Sequence, residues 1–517
     1  MSFLRAFATV SGLTLASRVF GFVRDVLSAA IMGAGPIADA FFVALRLPNF
    51  FRRMTAEGAF SVSFVPLFSK TLQQEGQESA RQFANQAMAM MLLVLVPFCV
   101  LAMIFMPQVL YVLAPGFNAE GGVRFDLAVT LTRITFLYLL FMSLSALIGG
   151  MLNTLDKFAI FAVAPVLFNV VQIVFLLVAF WFPTPGHALA WGVLISGILQ
   201  LVWMGWSLRH HGWRLQLVRP VLSDKIRRLF RLMGPGLVGA GAVQINLLVD
   251  TIIASTLPVG AVSFLYYADR LNQLPLGLIG TAVGTALLPK LAQRIAANDE
   301  KGSLHLFNRA LEWTLLLTLP CAVGLALIAE PIIGVLFQRG AFSAADTSAT
   351  ADALRAYAFG LPAFVGVKVL STALYAQQDT KTPVIVTLVC ATVNIILCLL
   401  LIRSIAHTGI ALATAIAGWL QVGILAWLIH TRQGLHLSFD ATMQRNLTRI
   451  LMACAAMAAM LVACHIGLLR FFQDGALHRL AALAVTMALA AAVYGGLILS
   501  LKVIDLKHIK QSLAGEK

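Results

Sequence analysis

The sequence predicts an all-α integral membrane protein, and three observations carry that reading. Of 517 residues, 60% are hydrophobic and 11% charged, with a mean hydropathy of +0.89; a soluble domain is roughly a quarter charged. Apolar stretches of about 20 residues, enough to cross roughly 30 Å of hydrocarbon as a helix, recur from end to end. The alternating segments of about 10 residues that mark a membrane barrel do not occur. Lipid offers the backbone no hydrogen-bond partners, so each crossing segment must satisfy its own polar groups as a helix.

Hydropathy places about fourteen spans in order. The first, 7–33, stops at the turn sequence Gly33-Ala34-Gly35-Pro36, and the second, 37–68, holds Pro48, which predicts a kink. The third, 84–113, ends on Ala114-Pro115-Gly116-Phe117, and the fourth and fifth, 128–150 and 158–181, flank Asp156-Lys157. Phe182 to Gly186, with two prolines, separates the fifth from the sixth, 187–208. Leu257-Pro258-Val259-Gly260 divides the seventh, 228–257, from the eighth, 261–292. The rest follow at 305–330, 350–376, 383–402, 408–430, 447–470 and 479–501.

The formal charge of +15 is a matter of placement. Even-numbered connections and both ends hold Arg5, Lys70, Arg81, Lys157, the 209–231 segment, Lys290, Arg294, Lys301, Arg309, Lys381, Arg432, Arg445, Arg449, Lys502, Lys507, Lys510 and Lys517. Odd-numbered connections hold Arg124, Arg133, Arg339, Arg355, Arg403, Arg470 and Arg479. This bias puts both termini in the cytoplasm and asks for an even span count. It accounts for the charge without nucleic acid, for which no soluble basic domain exists. The 209–231 segment reads as a topology anchor, with a lipid-headgroup site as the alternative.

Cys99, Cys321, Cys390, Cys398, Cys454 and Cys464 sit in apolar spans without a CxxC pair and read as small apolar residues. Arg18 and Arg24 interrupt the first apolar stretch, so it is not a cleavable signal. No P-loop, HExxH or nucleophile elbow is present, and the chain is not read as an enzyme. Transport would then run on an ion gradient, the membrane potential or the substrate gradient.

A weak repeat gives the domain plan. Residues 65–70 match 288–293 at an offset of 223, Asp156-Lys157 falls on Asp379-Thr380 at the same offset, and 113–117 resembles 337–342 nearby. The unit is six spans, and an even number makes the repeats parallel about an axis along the membrane normal. The expectation is an N-terminal lobe over 1–220, a C-terminal lobe over 221–440 and a central cavity between them, with an additional helix pair and cytoplasmic tail in 441–517.

Ionisable groups inside spans are costly and mark function by default. Span 1 carries Arg18, Arg24 and Asp25, with Gly21 permitting a bend. In span 2, Asp39, Arg46, Arg53 and Glu57 line up if the helix is continuous, with Arg52 beside them. Span 8 carries Asp269 and Arg270 after Tyr266 and Tyr267, and span 10 carries Lys368. Arg52, Arg53, Glu57 and Lys368 also admit an end-of-helix, snorkelling explanation. Arg18, Arg24 and Arg270 lie deeper, and unbalanced guanidiniums call for an anion, with phosphate or pyrophosphate matching the planar fork. Asp25, Asp39 and Glu57 would hold the arginines when the site is empty. Asp250, Asn394 and Thr414 offer oxygen ligands for an alkali cation; helix–helix hydrogen bonding is the alternative.

Segment 17–25, the run 38–66, Tyr266 to Leu271, the 114–117 turn and Gln378 to Pro383 resemble the MurJ (MviN) family, within the superfamily of multidrug, oligosaccharidyl-lipid and polysaccharide exporters. The resemblance covers nearly the whole chain. It implies a flippase that moves lipid II, the undecaprenyl-pyrophosphate-linked peptidoglycan precursor, from the cytoplasmic to the periplasmic leaflet of the bacterial inner membrane by alternating access. It also implies fourteen helices in two lobes plus a C-terminal pair that helps form a lipid-tail groove. The family's functional residues match here as Arg18, Arg24, Asp25, Asp39, Arg52, Arg53, Glu57 and Arg270, with the arginines on the pyrophosphate. Some members carry a sodium site that Asp250, Asn394 and Thr414 fit, though Cys398 stands where a second carboxylate is expected. Membrane lipids and cell wall synthesis or division proteins are the further partners implied. A cation-coupled drug exporter, or an exporter of another polyprenyl-linked oligosaccharide, is the alternative within the superfamily.

Overall fold

The computed structural model describes residues 3–118, 122–297, 299–431, 440–466 and 475–503. Arg470, Arg432, Lys507, Lys510 and Lys517, with the expected cytoplasmic tail, lie outside the described residues, as does the Arg5 side chain. Among the described residues every regular element is helical. Nine helices there are long and apolar enough to cross a membrane, against about fourteen spans expected from hydropathy. Two of the nine are bent. The 44-residue α3 (Ser61–Ile104) breaks at Gly76, whose φ of 86° and ψ of 177° are open to glycine alone. The 51-residue α14 (Lys381–Thr431) breaks at Ile405 and Ala406.

The helix α1 (Phe3–Met32) is not among the nine, because Arg18, Arg24 and Asp25 crowd its described length. Nor is the 16-residue α2 (Pro36–Phe51). Two helices that carry candidate site residues are therefore not plain apolar spans.

The chain divides into two compact units. The first comprises 1–263 with 339–343, and the second 264–338 with 344–517. In the first unit, α1 and α2 precede a π-helical segment, Arg52–Phe60, which leads into α3. Then come α4 (Met106–Leu113), α5 (Val123–Phe136), α6 (Tyr138–Thr154), α7 (Phe158–Leu177), α8 (Pro185–His210) and α9 (Asp224–Ser255). Its packing follows membrane rules, with polar side chains joining helices. Thr135 Oγ1 donates to the Ala44 carbonyl at 2.9 Å, and Gln200 Nε2 to the Ala164 carbonyl at 2.8 Å. One core is aromatic: Phe60, Phe64 and Phe68 stack in succession, Phe83 stacks on Phe64, and Trp213 packs on Phe68.

Two turns in the segments that the repeat pairs, 113–117 and 337–342, do the same job at different helix ends. A Cβ on Gly116 would lie 2.1 Å from the Ser255 carbonyl oxygen closing α9, and one on Gly340 would lie 2.2 Å from the Ala30 oxygen near the end of α1. Ala341 N–H also donates to that Ala30 oxygen at 2.8 Å. Glycine is required where backbone meets backbone so closely.

The second unit holds most of α10 (Ala261–Ala296), then α11 (Glu300–Leu327), α12 (Ala329–Phe337), α13 (Ala344–Ala376) and α14, and finally α15 (Ala441–Ile466) and α16 (Ala476–Ser500). A core of Phe307, Val369, Leu370, Val386 and Leu425 joins α11, α13 and α14. The C-terminal pair packs on α11 through Leu316, Ile450, Cys454 and Ile498. Arg309 fastens the same junction: its Nη2 reaches both Asp440 oxygens at 2.8 and 2.9 Å, its Nη1 meets Glu312, and Asn446 Nδ2 donates to Glu312 at 2.6 Å. Elsewhere large apolar side chains stay exposed, Val62 at 73% and Trp181 at 75%, as they do where the solvent is lipid.

Candidate functional site

The charges on α1 form a built cluster in the first unit. Arg24 donates from Nε and Nη2 to Asp25 Oδ1 at 3.1 and 2.7 Å, and from Nη1 to Asn169 Oδ1 of α7 at 3.0 Å. Asn169 is itself anchored, its Nδ2 donating to the Ser17 carbonyl at 3.0 Å. The guanidinium thus has its plane fixed from two helices, with the Phe168 ring 5.8 Å away. Its side chain is 13% exposed and that of Asp25 7%. A planar donor fork held this way is organised for an oxyanion before one arrives. Gly21 was expected to permit a bend, but α1 runs through it as one helix. A Cβ there would come within 3.4 Å of Asn169, so the glycine serves the close approach of α7. Arg18, on the same helix, is exposed.

Asp39 was expected to hold these arginines, and the structure gives it other partners. It is fully buried and accepts from Gly260 N at 2.8 Å, Ser263 N at 2.9 Å, Ser263 Oγ at 2.6 Å and Arg124 Nη1 at 3.5 Å. Arg124 had read as an arginine of an odd-numbered connection. It lies in the first turn of α5 at 4% exposure, donates to the Gly116 carbonyl at 3.4 Å and sits 4.2 Å from the Phe117 ring centroid. Asp39 therefore fastens α2 to α5 and to the turn between α9 and α10. Arg124, Asn169 and Ser263 were all missed in the sequence. Asp39 and Arg124 are 85 residues apart and no spacing rule connects them.

The stripe of Asp39, Arg46, Arg53 and Glu57 does not form, because the π-helix at Arg52–Phe60 breaks the 3.6-residue register. Its hydrogen bonds run from i to i+5, and such segments concentrate at functional sites. Arg52 Nε donates to Asn49 Oδ1 at 3.2 Å, and Arg53 is exposed. The Glu57 side chain lies outside the described residues.

In the second unit Arg270 is exposed on α10, its Nη2 donating to Tyr266 Oη at 2.8 Å and its guanidinium 4.7 Å from that ring's centroid. Asp269 accepts from Gln273 Nε2 at 3.3 Å. Lys368 is exposed, its stem lying against Gly280.

The expected cation ligands divide between the units. Asp250 belongs to the first and accepts from Asn246 Nδ2 at 3.5 Å. Asn394 and Thr414 belong to the second: Asn394 accepts from the Cys398 thiol at 3.8 Å, and Thr414 donates to the Ile410 carbonyl at 2.9 Å. A hard cation takes a shell of several oxygens, and a thiol is a poor substitute for one. Among the described residues no group of three or more His, Cys, Asp or Glu could hold a metal ion.

Against known proteins, a family model described as lipid II flippase MurJ matches residues 28–486. The chain is 41% identical over 467 residues to a probable lipid II flippase MurJ of Rhizobium tropici, covering 89% of this chain and 87% of that one. It is 34% identical over 511 residues to the lipid II flippase MurJ of Burkholderia cenocepacia, covering 96% and 97%. Among solved structures, a lipid II flippase MurJ in an inward closed conformation superposes with a TM-score of 0.79 at 26% identity, covering 95% of this chain and 99% of that one. An inward-facing multidrug transporter of the MATE family, at 13% identity and TM-score 0.66 over 81% of this chain and 96% of its own, shares the fold.

Proposed function

Because this chain belongs to the MurJ family of lipid II flippases, we propose that it carries lipid II from the cytoplasmic to the periplasmic leaflet of the bacterial inner membrane, by alternating access, for cell wall synthesis. It is a transporter and not an enzyme. The observation that carries the chemical part of this reading is the Arg24 cluster. A guanidinium aimed by a carboxylate of its own helix and an amide of a second is organised for an anion. Lipid II presents a pyrophosphate at the junction of its polar headgroup and its polyprenyl tail, so the anion lies at the height where the headgroup leaves the tail.

In this reading Arg24 engages the pyrophosphate, with Asp25 and Asn169 as positioning residues. Arg18 and Arg270, both exposed, supply further positive charge; Arg52 and Arg53 add to it. Asp39 acts on the fold rather than on the substrate. The binding site opens to one face of the membrane at a time, and differential affinity of the two states for the anion shifts the population between them. The charge bias of the connections puts both termini in the cytoplasm. No step is routed through a cation.

Binding by the purified protein tests the reading. Lipid II should bind, and should be displaced by its pyrophosphate-bearing polyprenyl fragment. Cationic dyes should not compete. Binding of dyes in preference to lipid II would favour the cation-coupled drug exporter instead.

A further inference from the structure

The basic stretch at the end of α8 borders a cleft that topology alone does not require. An arginine that orients a helix needs to stand near the surface; it needs no cavity beside it. Here Val202, Gly205, Trp206 and Arg209 recur at helical spacing and form one stripe. Met88 of α3 and Ile148 of α6 line the same cavity, which Trp213 closes, and it holds about 460 Å³.

We propose that this cleft binds an anionic glycerophospholipid of the cytoplasmic leaflet, with its phosphate on Arg209 and one acyl chain along Val202 and Gly205. The walls follow the order of an amphiphile. Val202, Gly205, Met88 and Ile148 are apolar, and the charge stands at the end nearest the close of the helix. Gly205 leaves the floor open, since a Cβ there would meet nothing within 4 Å. Trp206 is 59% exposed and stacks on His210 at 5.6 Å, an aromatic pair of the kind that settles at headgroup level. The far wall is preformed: Trp213 is buried against Phe68, and the segment after it is pinned to α3 where Gln216 N donates to Asn85 Oδ1 at 2.9 Å. Arg209 is exposed, so its forked donors are open to a phosphate. Charge decides the occupant: one guanidinium with no carboxylate in the lining favours a net anionic headgroup over a zwitterionic one. None of these residues belongs to the Arg24 cluster, so the site is distinct from the one proposed for transport.

Native mass spectrometry of the full chain, with phosphatidylglycerol or phosphatidylethanolamine added in equal amount, reads the occupancy directly. The wild type should retain one more phosphatidylglycerol than phosphatidylethanolamine. Arg209→Gln should lower phosphatidylglycerol occupancy by about fivefold, the weight of one basic residue near a membrane surface. Gly205→Leu fills the floor without a backbone clash and should lower it at least as much, with thermal melting unchanged. Equal retention of the two lipids by the wild type would overturn the proposal. So would wild-type retention by a normally melting Gly205→Leu protein; if that protein melts early, the surface variant Arg209→Gln alone decides.

Discussion

Asp39 is a buried charge with four donors around it, and its cost is met by Arg124, Gly260 and Ser263. Removing one member of a buried pair leaves the other uncompensated, at about 3–5 kcal/mol. Asp39→Ala and Arg124→Ala should each destabilise the protein by that order in detergent melting. Asp39→Asn keeps the shape and some acceptor capacity and should cost about 1–3 kcal/mol. Equal melting of all three variants with the wild type would remove Asp39 from its fastening role. The contrast with Arg24 explains what was legible at this scale. Arg24 and Asp25 are neighbours, so their pairing could be read from the sequence. The Asn169 contact spans 145 residues and the Arg124 contact 85, and only folding brings those groups together. Arg124 misled because a buried arginine in the first turn of α5 looks the same in sequence as one in a connecting loop.

Helix type was plain in the sequence, but the interruptions within helices were not. Pro48 suggested a kink in the second span, whereas the register is changed four residues later by the π-helix that starts at Arg52. Hydropathy cannot see such a change, because it alters hydrogen bonding without altering apolarity. The bend in α3 rests on Gly76, with a φ of 86°. Gly76→Ala meets no steric neighbour, yet should cost about 1–3 kcal/mol through its backbone alone. Ala406, with a φ of 47° and ψ of −131° at the bend of α14, is the opposite case. Ala406→Gly should raise the melting point, since glycine adopts that conformation at no steric cost. A fall on Ala406→Gly, or no change on Gly76→Ala, would mean that these bends are held by packing rather than by backbone preference.

For the whole molecule, composition was enough to establish a helical membrane protein, and family motifs were enough to name its relatives. The orientation proposed from the charge bias is open to a direct check. In a cysteine-free background, a cysteine at Arg219 should react with an impermeant thiol reagent from the cytoplasmic face, and one at Gly35 from the periplasmic face. The reverse pattern would invert the topology. In the proposed function Arg24, aimed by Asp25 and Asn169, engages the pyrophosphate while the headgroup crosses. The most direct measurement is lipid II translocation in proteoliposomes by Arg24→Ala and Arg24→Lys beside the wild type, each checked for normal melting. Loss of charge-assisted hydrogen bonds worth about 1.5–3 kcal/mol predicts at least about a tenfold slower rate for Arg24→Ala. Arg24→Lys should recover little, because a point charge cannot reproduce the planar fork. Translocation by a folded Arg24→Ala protein at the wild-type rate would remove Arg24 from pyrophosphate recognition.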